Sequence, residues 1–204
     1  MAKRKWLLAG LLVVLFIAGI VARSAFLRTS RPAYTLTSQA TQYDPDGTAR
    51  PLFVETMFVS SSGNWHSVKQ YATGARLETF ATVGQGVVNR RNDEARLNFL
   101  SSYDSPKPLL NEEGFRKSAN FLRVDTVLGY PAFIMKAENS PEVEFYCSPV
   151  IGGENIKIVH RDATKTVVIE PVSLVFGNPD PSSVTVPTGL PTNYDNFNKV
   201  HAQR

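Results

Sequence analysis

The sequence predicts a mainly β protein: an antiparallel, curved sheet or open half-barrel with one short helix, preceded by an N-terminal hydrophobic helix. Three observations predict it. Turn-forming residues recur about every 8–12 positions, the spacing left by an antiparallel meander. The stretches between them are rich in β-branched and aromatic side chains. Only one stretch, around Asn111, carries helix-start chemistry, and only the N-terminal one is apolar on every face.

That first segment, residues 6–22, runs 17 residues without a charge. As a helix it spans roughly 25 Å, enough for a bilayer core. Lys3, Arg4 and Lys5 precede it, as at an end kept in the cytoplasm, while Arg23, Arg28 and Arg31 follow and weaken the asymmetry. Two readings stay open: an uncleaved membrane anchor, or a secretory signal cut after Ala22-Arg23-Ser24. A buried core helix ranks below both, because the segment is apolar on all faces and sits at a chain terminus. No cysteine stands just after the segment, as a lipoprotein anchor there would need.

The remaining elements follow in order. Residues 23–33 read as a linker and 34–177 as one β domain, with an irregular tail from 178 to 204. Strands are predicted at 34–41, 52–60, 65–72, 76–83, 85–91 and 95–100. Asp44–Gly47, Ser61–Asn64 and Thr73-Gly74 supply turns between the first of them. Asn111, Glu112 and Glu113 then combine an Asx cap with acids at the positive end of a helix dipole; Gly114 keeps that helix short. Strands resume at 121–128, 132–137, 142–147, 155–160 and 166–176, broken by Gly129-Tyr130-Pro131, by 138–141, by Gly152-Gly153 and by 161–163. Pro171 inside the last strand requires a bulge or an edge.

Charge narrows the function. Six of the 22 basic residues lie in the first 31 positions with no acid among them, leaving 16 bases against 18 acids beyond. The folded part is near neutral, so no nucleic-acid partner is expected. One cysteine, Cys147, excludes an internal disulfide. Histidines stand at 66, 160 and 201, and no Gly-x-Ser-x-Gly elbow is present. Cys147 with His160 is the one nucleophile–base pair the strand order brings into question; a buried thiol and a surface imidazole are the plainer reading. Glu142, Glu144 and His160 are the one set considered for a metal, and read better as the polar side of a strand. Gly84-x-Gly86 opens no helix and is no phosphate loop. Arg90, Arg91 and Arg96 form a basic cluster read as a solvated face. No enzyme, cofactor or metal is expected.

The element order, together with Val127-Leu-Gly-Tyr-Pro131, Glu142–Pro149 with Gly152-Gly153, and Asp180–Pro187, resembles the periplasmic lipoprotein-carrier fold of the LolA/LolB-like and RseB-like group across residues 34–190. The resemblance implies a curved sheet whose apolar concave face, covered by a helix or loop, holds acyl chains or a partner segment. On that basis Trp65, Tyr71, Phe99, Phe121, Phe133 and Tyr146 are the candidate cavity-lining residues. Two functions are consistent with these features: a non-enzymatic extracytoplasmic module binding a lipophilic or acylated ligand, or an interaction domain of a cell-envelope assembly with a protein partner and no small ligand. The expected location is the bacterial inner membrane, held through residues 6–22 with the domain in the periplasm, or secretion if the leader is cleaved. A carrier requires an apolar cavity faced by Trp65 or Phe133; a scaffold requires a filled core with an exposed sheet edge or apolar patch.

Overall fold

A computed structural model of the chain describes residues 31–84, 86–91, 98–101 and 109–186. The hydrophobic segment 6–22 and most of the linker lie outside these residues, as does the tail beyond 186. Among the described residues no helix is long and apolar enough to cross a membrane.

Among the described residues eleven strands form one antiparallel sheet: β1 (Tyr34–Tyr43), β2 (Ala49–Val59), β3 (Trp65–Tyr71), β4 (Arg76–Thr82), β5 (Gly86–Arg91), β6 (Asn98–Ser101), β7 (Phe121–Val127), β8 (Tyr130–Ala137), β9 (Ser140–Cys147), β10 (Asn155–Arg161) and β11 (Thr166–Phe176). Their spatial order is β6-β5-β4-β3-β2-β1-β11-β10-β9-β8-β7, so the sheet is open, with β6 and β7 at its edges. Two meanders are joined where the first strand meets the last. Among the described residues every other strand pairing is a local hairpin, and the β1–β11 ladder alone closes a long loop. That ladder is ten pairs long and carries the bulge that Pro171 demands: Thr37 pairs with Ser173 while Ser38 pairs with Pro171, leaving Val172 extra.

The helix α1 (Glu112–Arg116) starts where the sequence places it. Asn111 Oδ1 accepts from the Gly114 amide at 2.9 Å, and Glu112 and Glu113 hold Arg116 and Lys117 one turn on. One break differs from the sequence reading. The β7–β8 hairpin turns on Leu128 and Gly129, not on Gly129–Pro131, and Leu128 takes a positive φ of 50°. A type I′ two-residue loop takes positive φ at both positions and so matches the strand twist, and that outweighs leucine's own preference.

The core has two parts. Tyr34, Leu36, Val59, Ile134, Tyr146, Ile156 and Val159 belong to the larger cluster, with Ile151 from the short 3-10 turn Pro149–Ile151. Phe115 of α1 packs with Phe133 and Cys147 in the smaller one. Strand β8 feeds both: Ala132 and Ile134 go to the first, Phe133 and Met135 to the second. A near-continuous apolar run buried on two faces is the consequence.

Candidate functional site

Register builds the site. Tyr34, Val59, Trp65, Ala81 and Val87 are successive cross-strand partners, so β1 to β5 place one apolar row on a single face of the sheet. Two residues along each strand, on the same face, the next row reads Leu36, Met57, Ser67, Thr79 and Asn89. The third begins Ser38, Glu55, Lys69 and Leu77. Polarity therefore rises along the strands: an apolar row, a mixed row, a charged row.

Over the apolar row lies a cavity of about 280 Å³, walled by Tyr34, Met57, Val59, Trp65 and Val87 and closed by Pro32, Leu109 and Ile151. Its size falls near the lower end of small-ligand pockets, roughly 300–1,000 Å³. Arg31 and Glu154 are its charged contributors. The Gly152-Gly153 turn makes the closure possible. Both glycines take positive φ, and a Cβ on Gly152 would stand 2.7 Å from Leu109 while one on Gly153 would stand 2.8 Å from Leu110. With no side chain there, the Leu110 amide reaches the Gly152 carbonyl at 3.3 Å, and Leu109 is held against the cavity.

Over the charged row is a second cavity of about 180 Å³, which shares Met57 and Glu154 with the first. Its floor is a small polar network. Ser67 Oγ donates to Glu55 Oε1, Lys69 Nζ stands 3.6 Å from Glu55 Oε2, and the same ammonium lies 5.0 Å from the Phe53 ring centroid. Across from it, Lys157 is taken up by Glu170 at 2.6 Å.

The predicted aromatic residues separate. Trp65 lines the apolar cavity. Phe133 is fully buried, stacked on Phe115 at 5.2 Å, with Phe121 tilted beside it and the Arg116 guanidinium over both rings. Tyr146 is buried in the larger core cluster, where its hydroxyl donates to Glu144. Tyr71 packs on Phe53 beside a separate depression at the β3–β4 turn. The side chain of Phe99 lies outside the described residues, as do those of Arg90, Arg91 and Arg96. Met57, Val59, Val87 and Leu109 were not singled out by sequence; only the cross-strand register, unknown until the strands are paired, puts them together.

The considered chemistry is pulled apart by the same register. Cys147 pairs with Asn155 and His160 with Val143, five positions along the β9–β10 hairpin, roughly 16 Å. The Cys147 thiol instead meets Asn155 Oδ1 at 3.2 Å. Val143 shares His160's face, so Glu142 and Glu144 project from the opposite one. Glu144 meets Arg161 at 3.2 Å and Arg123 at 3.5 Å. Burial pushes its carboxyl up, but the Arg161 bond and the two guanidinium charges outweigh that and hold it below the usual range. Among the described residues no three His, Cys, Asp or Glu converge as metal ligands.

A second histidine is the least expected feature. His66 is buried on the opposite face of β3, stacked 4.0 Å from Phe80 and 5.8 Å from Phe58. The 3-10 turn Pro181–Val184 covers it: Nδ1 lies 2.8 Å from the Ser183 carbonyl, which makes Nδ1 the protonated nitrogen of the neutral ring, and Val184 is buried beside the strands. Nε2 stands 3.6 Å from Glu78, itself bonded by Arg76. Burial, the largest influence, lowers the pKa of His66 below that of a free imidazole.

No protein-family model matches the chain, and no curated protein matches it. Solved structures do. It is similar to a LolA superfamily protein from Nitrosomonas europaea, at 8% identity over 76% of this chain and 91% of that one, with a TM-score of 0.40. It is similar to LprF from Mycobacterium bovis, at 10% identity over 81% and 93%, with a TM-score of 0.33. MucB is similar at 12% identity and a TM-score of 0.40; 79% of this chain is covered, but only 59% of MucB.

Proposed function

We propose that this protein is a non-enzymatic binding module for a lipophilic or acylated ligand, held outside the cytoplasm through residues 6–22. One observation carries the reading: an apolar cavity with Trp65 in its wall, lying beneath Leu109 and Ile151. Apolar volume lined by large side chains stabilises nothing by itself, since a void forfeits the contacts that packing would supply. A bound acyl chain restores them and buries its own surface at about 25 cal/mol per Å².

The test uses Trp65 as the reporter. Replacing Trp6, the other tryptophan of the chain, by Phe leaves a single indole. The full chain in phosphatidylcholine nanodiscs is titrated with a single-chain lipid brominated on its acyl chain. Saturable quenching of Trp65 is expected, and Met57→Phe, which narrows the cavity, weakens it. Quenching that rises linearly without saturation, unchanged by Met57→Phe, rejects the reading. Export is tested separately, by fusing alkaline phosphatase after residue 186: activity in intact cells is expected, and its absence contradicts the proposed location.

A second reading, a protein partner adding a strand, has its own observation. Among the described residues β7 pairs only with β8, and its Leu122 and Val124 are exposed. An unpaired edge with apolar side chains accepts a further strand. Val124→Lys abolishes such pairing and leaves lipid uptake unchanged, which separates the two readings.

A further inference from the structure

One end of the sheet gathers exposed apolar side chains. Strand β1 begins there at Tyr34, paired with Phe176 of β11, and the Gly177 amide donates to the Ala33 carbonyl at 2.9 Å. The β7–β8 turn reaches the same end, since Tyr130 beside it meets Phe176 edge-on at 5.7 Å. Leu128 is 44% exposed, Phe176 45% and Val175 62%. Leu128 is the informative one. It stands at the tip of the turn with φ 50°, where asparagine or glycine would sit without strain, and a Cβ on the neighbouring Gly129 would meet open space. A half-exposed leucine in that conformation strains its own backbone, the mark of a side chain placed for something outside the domain. The apolar cavity shares this end: Pro32, Gly63 of the β2–β3 turn, and Ile151 and Glu154 of the β9–β10 connection stand around it. The chain also enters here. Residues 23–30 separate the apolar segment from Arg31, on the order of 30 Å of backbone at full stretch.

We infer that this end of the domain docks on the surface of the bilayer, Leu128 inserting at the tip of its turn with Val175 and Phe176 at the interface, so that the cavity faces the membrane. This rests on the tethered, lipid-binding reading above. A tether through residues 6–22 makes the docking intramolecular, and a few apolar side chains then suffice where a free domain would need many more. Apolar surface leaves water as they insert, which is the driving force. A lipophilic ligand passes between bilayer and cavity without crossing open water.

Single-tryptophan reporters of the full chain test it, with Trp6→Phe and Trp65→Phe as the common background. Each is reconstituted in phosphatidylcholine nanodiscs brominated on the acyl chain, and in matched unbrominated ones. Val175→Trp is expected to be quenched by the brominated lipid, whereas Thr73→Trp, in the exposed β3–β4 turn at the opposite end, is not. Adding Leu128→Asn to Val175→Trp removes the quenching and leaves the melting temperature equal or higher, because asparagine suits the turn. Equal quenching at 73 and 175, none at either, or quenching at 175 that survives Leu128→Asn overturns the inference. A blue-shifted but unquenched residue 175 overturns it too, and marks a protein contact on that surface. In all these cases the chain co-elutes with the nanodisc, and the lipid-binding reading stands on its own titration. A chain that does not co-elute removes the tether and the inference together.

Discussion

His66 sits between two phenylalanine rings with its Nδ1–H spent on a backbone carbonyl, and that environment favours the neutral imidazole. The sign of the consequence is fixed. A lowered folded pKa means the unfolded chain binds the proton more readily, so His66 stabilises fully above the unfolded value, about 6.5. That contribution is lost as pH falls below it towards the folded pKa. Melting temperature should drop on acidification from pH 7.5 to 5.5, and His66→Phe should flatten that part of the profile. A variant with the same slope as the parent would assign the pH dependence elsewhere; the lowered carboxylates of Asp46, Asp162 and Asp180 act in a separate window, below pH 4. Nothing in the sequence marks His66, because its stacking partners and Ser183 reach it only through strand pairing and a contact 117 residues away. Gly153 is the opposite case. The Gly-Gly break is visible in the sequence, and the structure adds the reason for it: Gly153→Ala must adopt φ near 91° and push into Leu110. Thermal unfolding should show a loss of about 1–3 kcal/mol, whereas an unchanged midpoint would mean that residues 109–110 yield without cost.

At the scale of elements, β strands were readable because alternation and turn spacing are local properties. All eleven predicted strands have counterparts, and their ends shift by a few residues. The Asn111 helix was readable for the same reason, since its cap lies within three residues. What escaped is what depends on pairing. Leu128 at positive φ follows from hairpin twist, not from leucine. The separation of Cys147 from His160 follows from register, which places them at different ends of one hairpin although each lies on a neighbouring strand. Helix α1 is only five residues long, so its stability comes from Phe115 packed on Phe133. Phe115→Ala should cost about 3–5 kcal/mol, a fall in melting temperature on the order of 10 °C for a domain of this size. A fall of a degree or two would show the helix to be an ornament on an independently stable sheet.

For the whole molecule, the cavity was legible as a type but not as a place. Core and cavity recruit the same side chains, so a list of aromatic residues mixes them, and here Trp65 went to the cavity while Phe133 and Tyr146 went to the core. The distinction lies in the row Tyr34, Val59, Trp65, Ala81 and Val87, whose members come from five strands and share a face through register alone. The charged row beyond it, and the open sheet that exposes both, belong equally to the assembled fold. The most direct measurement of the central claim is native mass spectrometry of the full chain, expressed with its leader and released from its solubilising lipid in the gas phase, followed by organic extraction. A retained mass of several hundred daltons, identified on extraction as acyl lipid and absent from Met57→Trp, is the result expected of a lipid-binding cavity. A clean apo mass for the parent chain, with no uptake of added lipid, would contradict it.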